Sequence, residues 1–122
     1  MFNFLFLISS IVFILLDFIY LQLIKNYFFN QIKLVQGSEP KLNYLGAALC
    51  YVFLIIGINY FIIKPNKSIY DAFLLGLVIY GVYETTNYAL LKNWSLFTVI
   101  IDTLWGGVLF AATTYIVNLF RR

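Results

Sequence analysis

"LLGLVIYGVYETTNYALLKNWSLFTVIIDTLWGGVL", residues Leu74–Leu109, consists of two apolar runs joined by the short polar turn "KNWS". Extended to their natural limits, the runs cover about residues 69–91 and 96–120. Each is long enough to cross ~30 Å of hydrocarbon as a helix, which takes ~20 residues. Neither shows the short alternation of a lipid-facing barrel strand, and helices satisfy their own backbone hydrogen bonds where no water is present. The stretch therefore predicts a transmembrane helical hairpin. It also places a glutamate, four threonines, an asparagine and an aspartate inside the apolar runs.

The rest of the chain extends this pattern. Two more apolar segments lie at about residues 2–24 and 44–63, which predicts an all-α membrane protein of four transmembrane helices in an antiparallel bundle. The composition agrees: of 122 residues, 63% are hydrophobic and 11% charged, against about a quarter charged in soluble domains. The expected connections are "KNYFFNQIKLVQGSEPK", with Gly37 and Pro40 as breakers, then "KPNKS" and "KNWS". One domain, residues 1–122, is expected at this length. The first segment lacks a basic start and an A-x-A-like site after it, so it is expected to remain as an anchor.

Charge excludes some functions and leaves orientation nearly open. The net charge is +3, and the basic residues are scattered among helix ends, so nucleic acid is not an expected partner. The lipid bilayer is. Lys64, Lys67, Arg121 and Arg122 fall on one side of the expected topology and Lys25, Lys33, Lys41 and Lys92 on the other, an even split. The paired terminal arginines favour termini on the cytoplasmic side. Histidine is absent and Cys50 is the single cysteine, which leaves no zinc or copper ligand set and no Ser–His or Cys–His nucleophile pair. Cys50 reads as a small packing residue. No cofactor is expected.

The carboxylates carry most of the functional information. Asp17, Glu84 and Asp102 sit in three different spans, each ~10 Å below the same surface at 1.5 Å per residue, and Tyr51 of the second span falls at that depth too. Tyr80, Glu84, Asn87 and Leu91 share one helix face; Thr98, Asp102, Trp105 or Gly106, and Leu109 share another. A charge facing lipid costs ~2.5–3.5 kcal/mol even on lenient scales, so the three carboxyls are expected to point inward. With Tyr51, Tyr80, Tyr83, Asn87 and Trp105 they form the expected polar core. No basic side chain shares their depth, so they cannot all stay ionised. Bound protons, a bound cation, a cationic substrate, or Lys92 reaching back are the available neutralisers. Oxygen-only ligands would favour Mg²⁺, Ca²⁺ or Mn²⁺ over zinc. The plainest alternative is that protonated acids bond Tyr80, Tyr83, Thr86 and Asn87 and glue the helices together. Small-residue pairs at Gly46 and Cys50, Ala72 and Gly76, and Gly107 and Ala111 are expected to let helices approach closely. Trp94, beside Lys92, reads as an interfacial anchor.

These residues carry a resemblance. Gly76, Tyr80, Tyr83, Thr86, Asn87, Ala89, Leu91, Trp94, Asp102, Trp105 and Gly106 fit a pattern G-x-x-x-Y-x-x-Y-D-x-T-N-x-A-x-L-x-x-W followed by D-x-x-W-G. Asp17 with Tyr20, and Tyr51, Gly57 and Phe61, extend it through the first half. The chain thus resembles the family of predicted bacterial membrane proteins catalogued as domain of unknown function 2177. Glu84 stands where the family pattern has Asp, which keeps the carboxylate and lengthens its reach by one methylene. The resemblance implies the four-span fold and this choice of site residues; it supplies no reaction.

Three function classes stay open. One is a non-catalytic subunit or scaffold whose polar layer orders the bundle or binds a lipid or other small ligand. Another is a proton- or cation-coupled carrier or channel, for which a homodimer or larger membrane complex would enclose the path. The third is an intramembrane acid/base enzyme, the least supported, since no G-x-G-D signature or positioned electrophile is present.

Overall fold

A seam of small residues sets how the second half of the chain packs. The computed structural model describes residues 2–121, without the Phe2 side chain; Met1 and Arg122 lie outside the described residues, and with them the terminal arginine of the orientation argument. Helix α3, Ile69–Leu90, and helix α4, Leu96–Leu119, form an antiparallel hairpin. A Cβ on Gly76 would fall on the Gly106 carbonyl, and one on Gly106 would fall on the Tyr80 ring. Only glycine permits backbones this close. Ala72, fully buried, continues the seam one turn away.

The other face of α4 packs against helix α1, Phe2–Gln36, through a ladder of rings. Phe4 meets Phe120 at a centroid distance of 6.4 Å, Phe13 meets Phe110 at 5.4 Å, Tyr20 meets Trp105 at 4.4 Å, and Tyr27 meets Phe97 at 5.8 Å. Positions climb on α1 as they fall on α4, so the two helices are antiparallel. Helix α2, Tyr44–Ile58, continues into a π-helical segment, Asn59–Ile63. Its second half packs through Leu54, Ile55, Ile58, Ile62 and Ile63. The bundle is thus all-α with four helices, and the chain ends share one end of it with the Lys64–Ser68 turn: the Arg121 guanidinium donates to the Ile63 carbonyl at 2.9 Å.

Local chemistry explains the boundaries. The side chains of Asn43, Ser68 and Ser95 accept from Gly46, Asp71 and Phe97 backbone N–H groups and start α2, α3 and α4. Asn66 and Asn93 take positive φ in the two tight turns, a conformation asparagine tolerates. At the π-helical segment the Asn59 side chain is buried: its amide donates to the Ile55 carbonyl at 2.9 Å and its oxygen accepts from the Ser9 hydroxyl at 3.1 Å. That pair ties the widened turn to α1.

Two expectations need correction. The first connection was expected to begin near Lys25, yet α1 runs on to Gln36. Its 35 residues span about 52 Å, well beyond ~30 Å of hydrocarbon. The helix has no breaker before Gly37, Gln31 bonds the α3–α4 connection and Tyr27 the first turn of α4, so nothing stops it at the membrane surface. The second correction concerns Gly46 and Cys50. Both are exposed, because the first half of α2 stands away from the bundle.

The outer surface identifies the solvent. Phe18, Leu15, Phe53 and Val82 are each more than half exposed, an apolar exposure that water disfavours by roughly 25 cal/mol per Å². Helices α1, α2 with its π-helical extension, and α4 are long and apolar enough to cross a membrane. Helix α3 has the length, 22 residues, but carries Asp71, Glu84, Thr85, Thr86 and Asn87.

Candidate functional site

All four helices contribute to one polar layer. Asp17 of α1 accepts on both oxygens: the Tyr51 hydroxyl of α2 donates to Oδ2, and the Trp105 indole of α4 donates to Oδ1 at 2.9 Å. The Trp105 ring stacks on Tyr20, one turn after Asp17, with 4° between their planes. The Tyr20 hydroxyl donates to Asp102 Oδ1 at 3.3 Å. Tyr20 therefore joins the two aspartates, packing against the donor of one and hydrogen-bonding the other.

Glu84 of α3 closes the layer. It has no exposed surface, and its Oε1 accepts from the Trp94 indole at 2.8 Å. Among the described residues no N–H or hydroxyl donor reaches Oε2. The Asp102 carboxyl is a close neighbour of this carboxyl. Two buried carboxyls side by side repel each other when both are charged, and a proton or cation between them would relieve that repulsion. Lys92 is exposed, and among the described residues no ion pair reaches Asp17, Glu84 or Asp102. Nor is any group of three Asp, Glu, Cys or His side chains there placed to hold a metal ion.

Other expected members stand differently. Tyr80 packs on Gly106, and no hydrogen bond to another described residue engages its hydroxyl. Tyr83 is exposed on its outer edge and keeps Asn87 as its partner. Asn87 and Thr86 do not bridge the carboxyls. The hydrogen bonds come from Tyr20, Tyr51, Trp94 and Trp105 instead. Trp94, read as an interfacial anchor, is buried, because the α3–α4 turn folds its ring back under Phe28 and towards Glu84. A second buried polar group was missed altogether. Gln31 donates to the Asn93 carbonyl at 2.6 Å and accepts from the Ser95 backbone and the Thr98 hydroxyl at 3.1 Å, and Thr98 also pairs with Tyr27 at 2.9 Å. The spacing Phe13, Asp17, Tyr20, Ile24, Tyr27 and Gln31 was a helix-face signal that continued beyond the span.

A cavity of about 700 Å³ opens onto the layer. Asp17 and Asp102 line its polar side with Tyr20, Tyr51, Tyr80 and Tyr83, while Leu21, Ile24, Phe28, Phe53 and Leu54 make its apolar walls. It lies between the first half of α2 and the facing helices, bridged where the Tyr51 hydroxyl reaches Asp17, and Cys50 lines it from α2.

No curated protein and no solved structure matches the chain. The family model described as "Predicted membrane protein (DUF2177)" matches residues 2–119, a range that contains the four helices and every residue of the polar layer; the chain belongs to this family of predicted membrane proteins.

Proposed function

We propose that this membrane protein is a non-catalytic binding protein that holds one amphipathic small molecule or lipid inside the bundle. The observation that carries the reading is the cavity of about 700 Å³, apolar for most of its wall and ending on Asp17 and Asp102. Pockets of ~300–1,000 Å³ with mostly apolar walls and a few convergent polar groups are the usual form of small-molecule sites. In this reading the chain is one four-span domain with its termini on the cytoplasmic side, and α3 enters the membrane paired to α4 through Gly76 and Gly106. The test is native mass spectrometry of protein extracted in mild detergent. One bound amphipathic molecule per chain is expected, lost in the cavity-filling variant Ala47→Phe. Equal recovery from Ala47→Phe, or no bound molecule in either, rejects it.

A second reading, a proton- or cation-coupled carrier, draws support from the neighbouring Glu84 and Asp102 carboxyls, whose mutual repulsion a proton or cation would relieve. The bundle would then work as a homodimer or within a larger complex. Proton flux into proteoliposomes, abolished by Asp102→Asn, is the expected result; wild-type vesicles no leakier than empty ones reject this reading.

A further inference from the structure

We infer that the ligand of the cavity is a lipophilic organic cation, an amine or quaternary ammonium carried on an apolar body, with its charged head between Asp17 and Asp102. The inference rests on the binding-protein reading and adds the chemical class of the ligand.

Charge complementarity is the first argument. Two carboxylates line the cavity, and none of its lining residues is Lys or Arg. Behind Asp102 lies Glu84, without exposed surface, its Oε2 unmet by any donor among the described residues. The polar wall thus has an excess of acceptor oxygens and a shortage of positive charge. Asp17 is supplied by Tyr51 and Trp105, whereas Asp102 receives one long hydrogen bond from Tyr20 and faces Glu84 on its other side. A cation at Asp102 would meet the larger deficit.

The aromatic lining is the second argument. Tyr20, Tyr51, Tyr80 and Tyr83 line the cavity together with the two carboxylates. Ring faces attract a cation within ~6 Å, and cages of such rings recognise quaternary ammonium groups. The remaining wall of Leu21, Ile24, Phe28, Phe53 and Leu54 suits an alkyl or aryl body. An ordinary phospholipid fits poorly, because its phosphate would lie against two carboxylates. A neutral lipid would leave the charge deficit unchanged.

Equilibrium binding to protein in phosphatidylcholine nanodiscs tests the ligand class with three radiolabelled probes of one chain length. These are decyltrimethylammonium, its isosteric neutral carbon analogue, and decyl sulfate, each measured against empty discs. The cation should bind saturably, the neutral analogue at least about tenfold more weakly, the scale of one partly desolvated cation contact, and the sulfate not above the empty discs. Cys50→Trp, which fills the cavity from an exposed position, should abolish binding, and Asp102→Asn should weaken the cation alone. Cation and neutral analogue binding equally, both lost in Cys50→Trp, would overturn the cation assignment and leave the binding-protein reading standing. No probe binding above empty discs would overturn both.

Discussion

The Trp94 indole N–H points back across the α3–α4 turn and donates to Glu84 Oε1 at 2.8 Å, where the carboxyl has no exposed surface. A residue of the connecting turn thus satisfies a buried group of α3. The glutamate side chain meets Trp94 at one oxygen and has the Asp102 carboxyl as a close neighbour.

Trp94→Phe keeps the ring against Phe28 and removes the donor. Leaving a buried acceptor unmet costs about 1–3 kcal/mol, so the melting temperature in detergent should fall measurably. Combining it with Glu84→Gln should be less than additive, because the two substitutions act on one bond. Strict additivity in the double-mutant cycle would show that the bond contributes nothing.

Gly76→Val should be among the most disruptive single changes in the chain. Its side chain would enter the Gly106 carbonyl, and overpacking of this kind costs about 1–3 kcal/mol or more. Gly57→Ala, on a helix face where a Cβ meets nothing within 4 Å, is the control and should melt like the native protein. Matching losses in the two variants would remove the α3–α4 seam from the account.

The Glu84–Asp102 contact makes a spectroscopic prediction. In metal-free buffer at pH 7 the native protein should show the infrared stretch of a protonated carboxyl, absent in Asp102→Asn and in Glu84→Gln. A missing band in the native protein, with a cation retained after dialysis, would place a cation between the carboxyls instead of a proton.

Topology is testable with cysteines in a Cys50→Ala background. Positions Ser38 and Lys92 should label from one face of sealed vesicles and Ser68 from the other. Labelling of Ser38 and Ser68 from the same face would show that α2 does not cross.

The exposed ion pair Lys33–Glu39, at 2.8 Å, joins the end of α1 to the loop after it. The Glu39 hydrogen bond and charge raise the Lys33 ammonium above its ordinary value. Any stability it contributes is fully present below the unfolded pKa of the lysine and is lost as pH rises through the folded one. Exposed pairs contribute little. Lys33→Met should leave the melting temperature unchanged within error at neutral pH, and a large shift would mean the loop after α1 is a structural support.

The apolar lengths of residues 44–63, 69–91 and 96–120 determined three of the helices, because in a membrane the hydrocarbon thickness and the need to satisfy backbone polar groups act through local sequence alone. The same local logic put Asp17, Tyr51, Glu84 and Asp102 at one depth, since depth along a helix is residue count multiplied by rise. It misjudged α1, whose end is set by Gly37 and by contacts of Tyr27 and Gln31 with a turn about 60 residues away in sequence. Side-chain partners were likewise beyond its reach: whether Asn87 or Trp94 meets Glu84 depends on how the turn at Asn93 folds back, and whether Cys50 packs or faces a cavity depends on how far α2 stands from α3 and α4. Those are distances between helices, decided by the Gly76–Gly106 approach and the α1–α4 ring ladder. Lengths, depths and faces are properties of one helix at a time; the cavity and its hydrogen bonds exist only once four helices have packed.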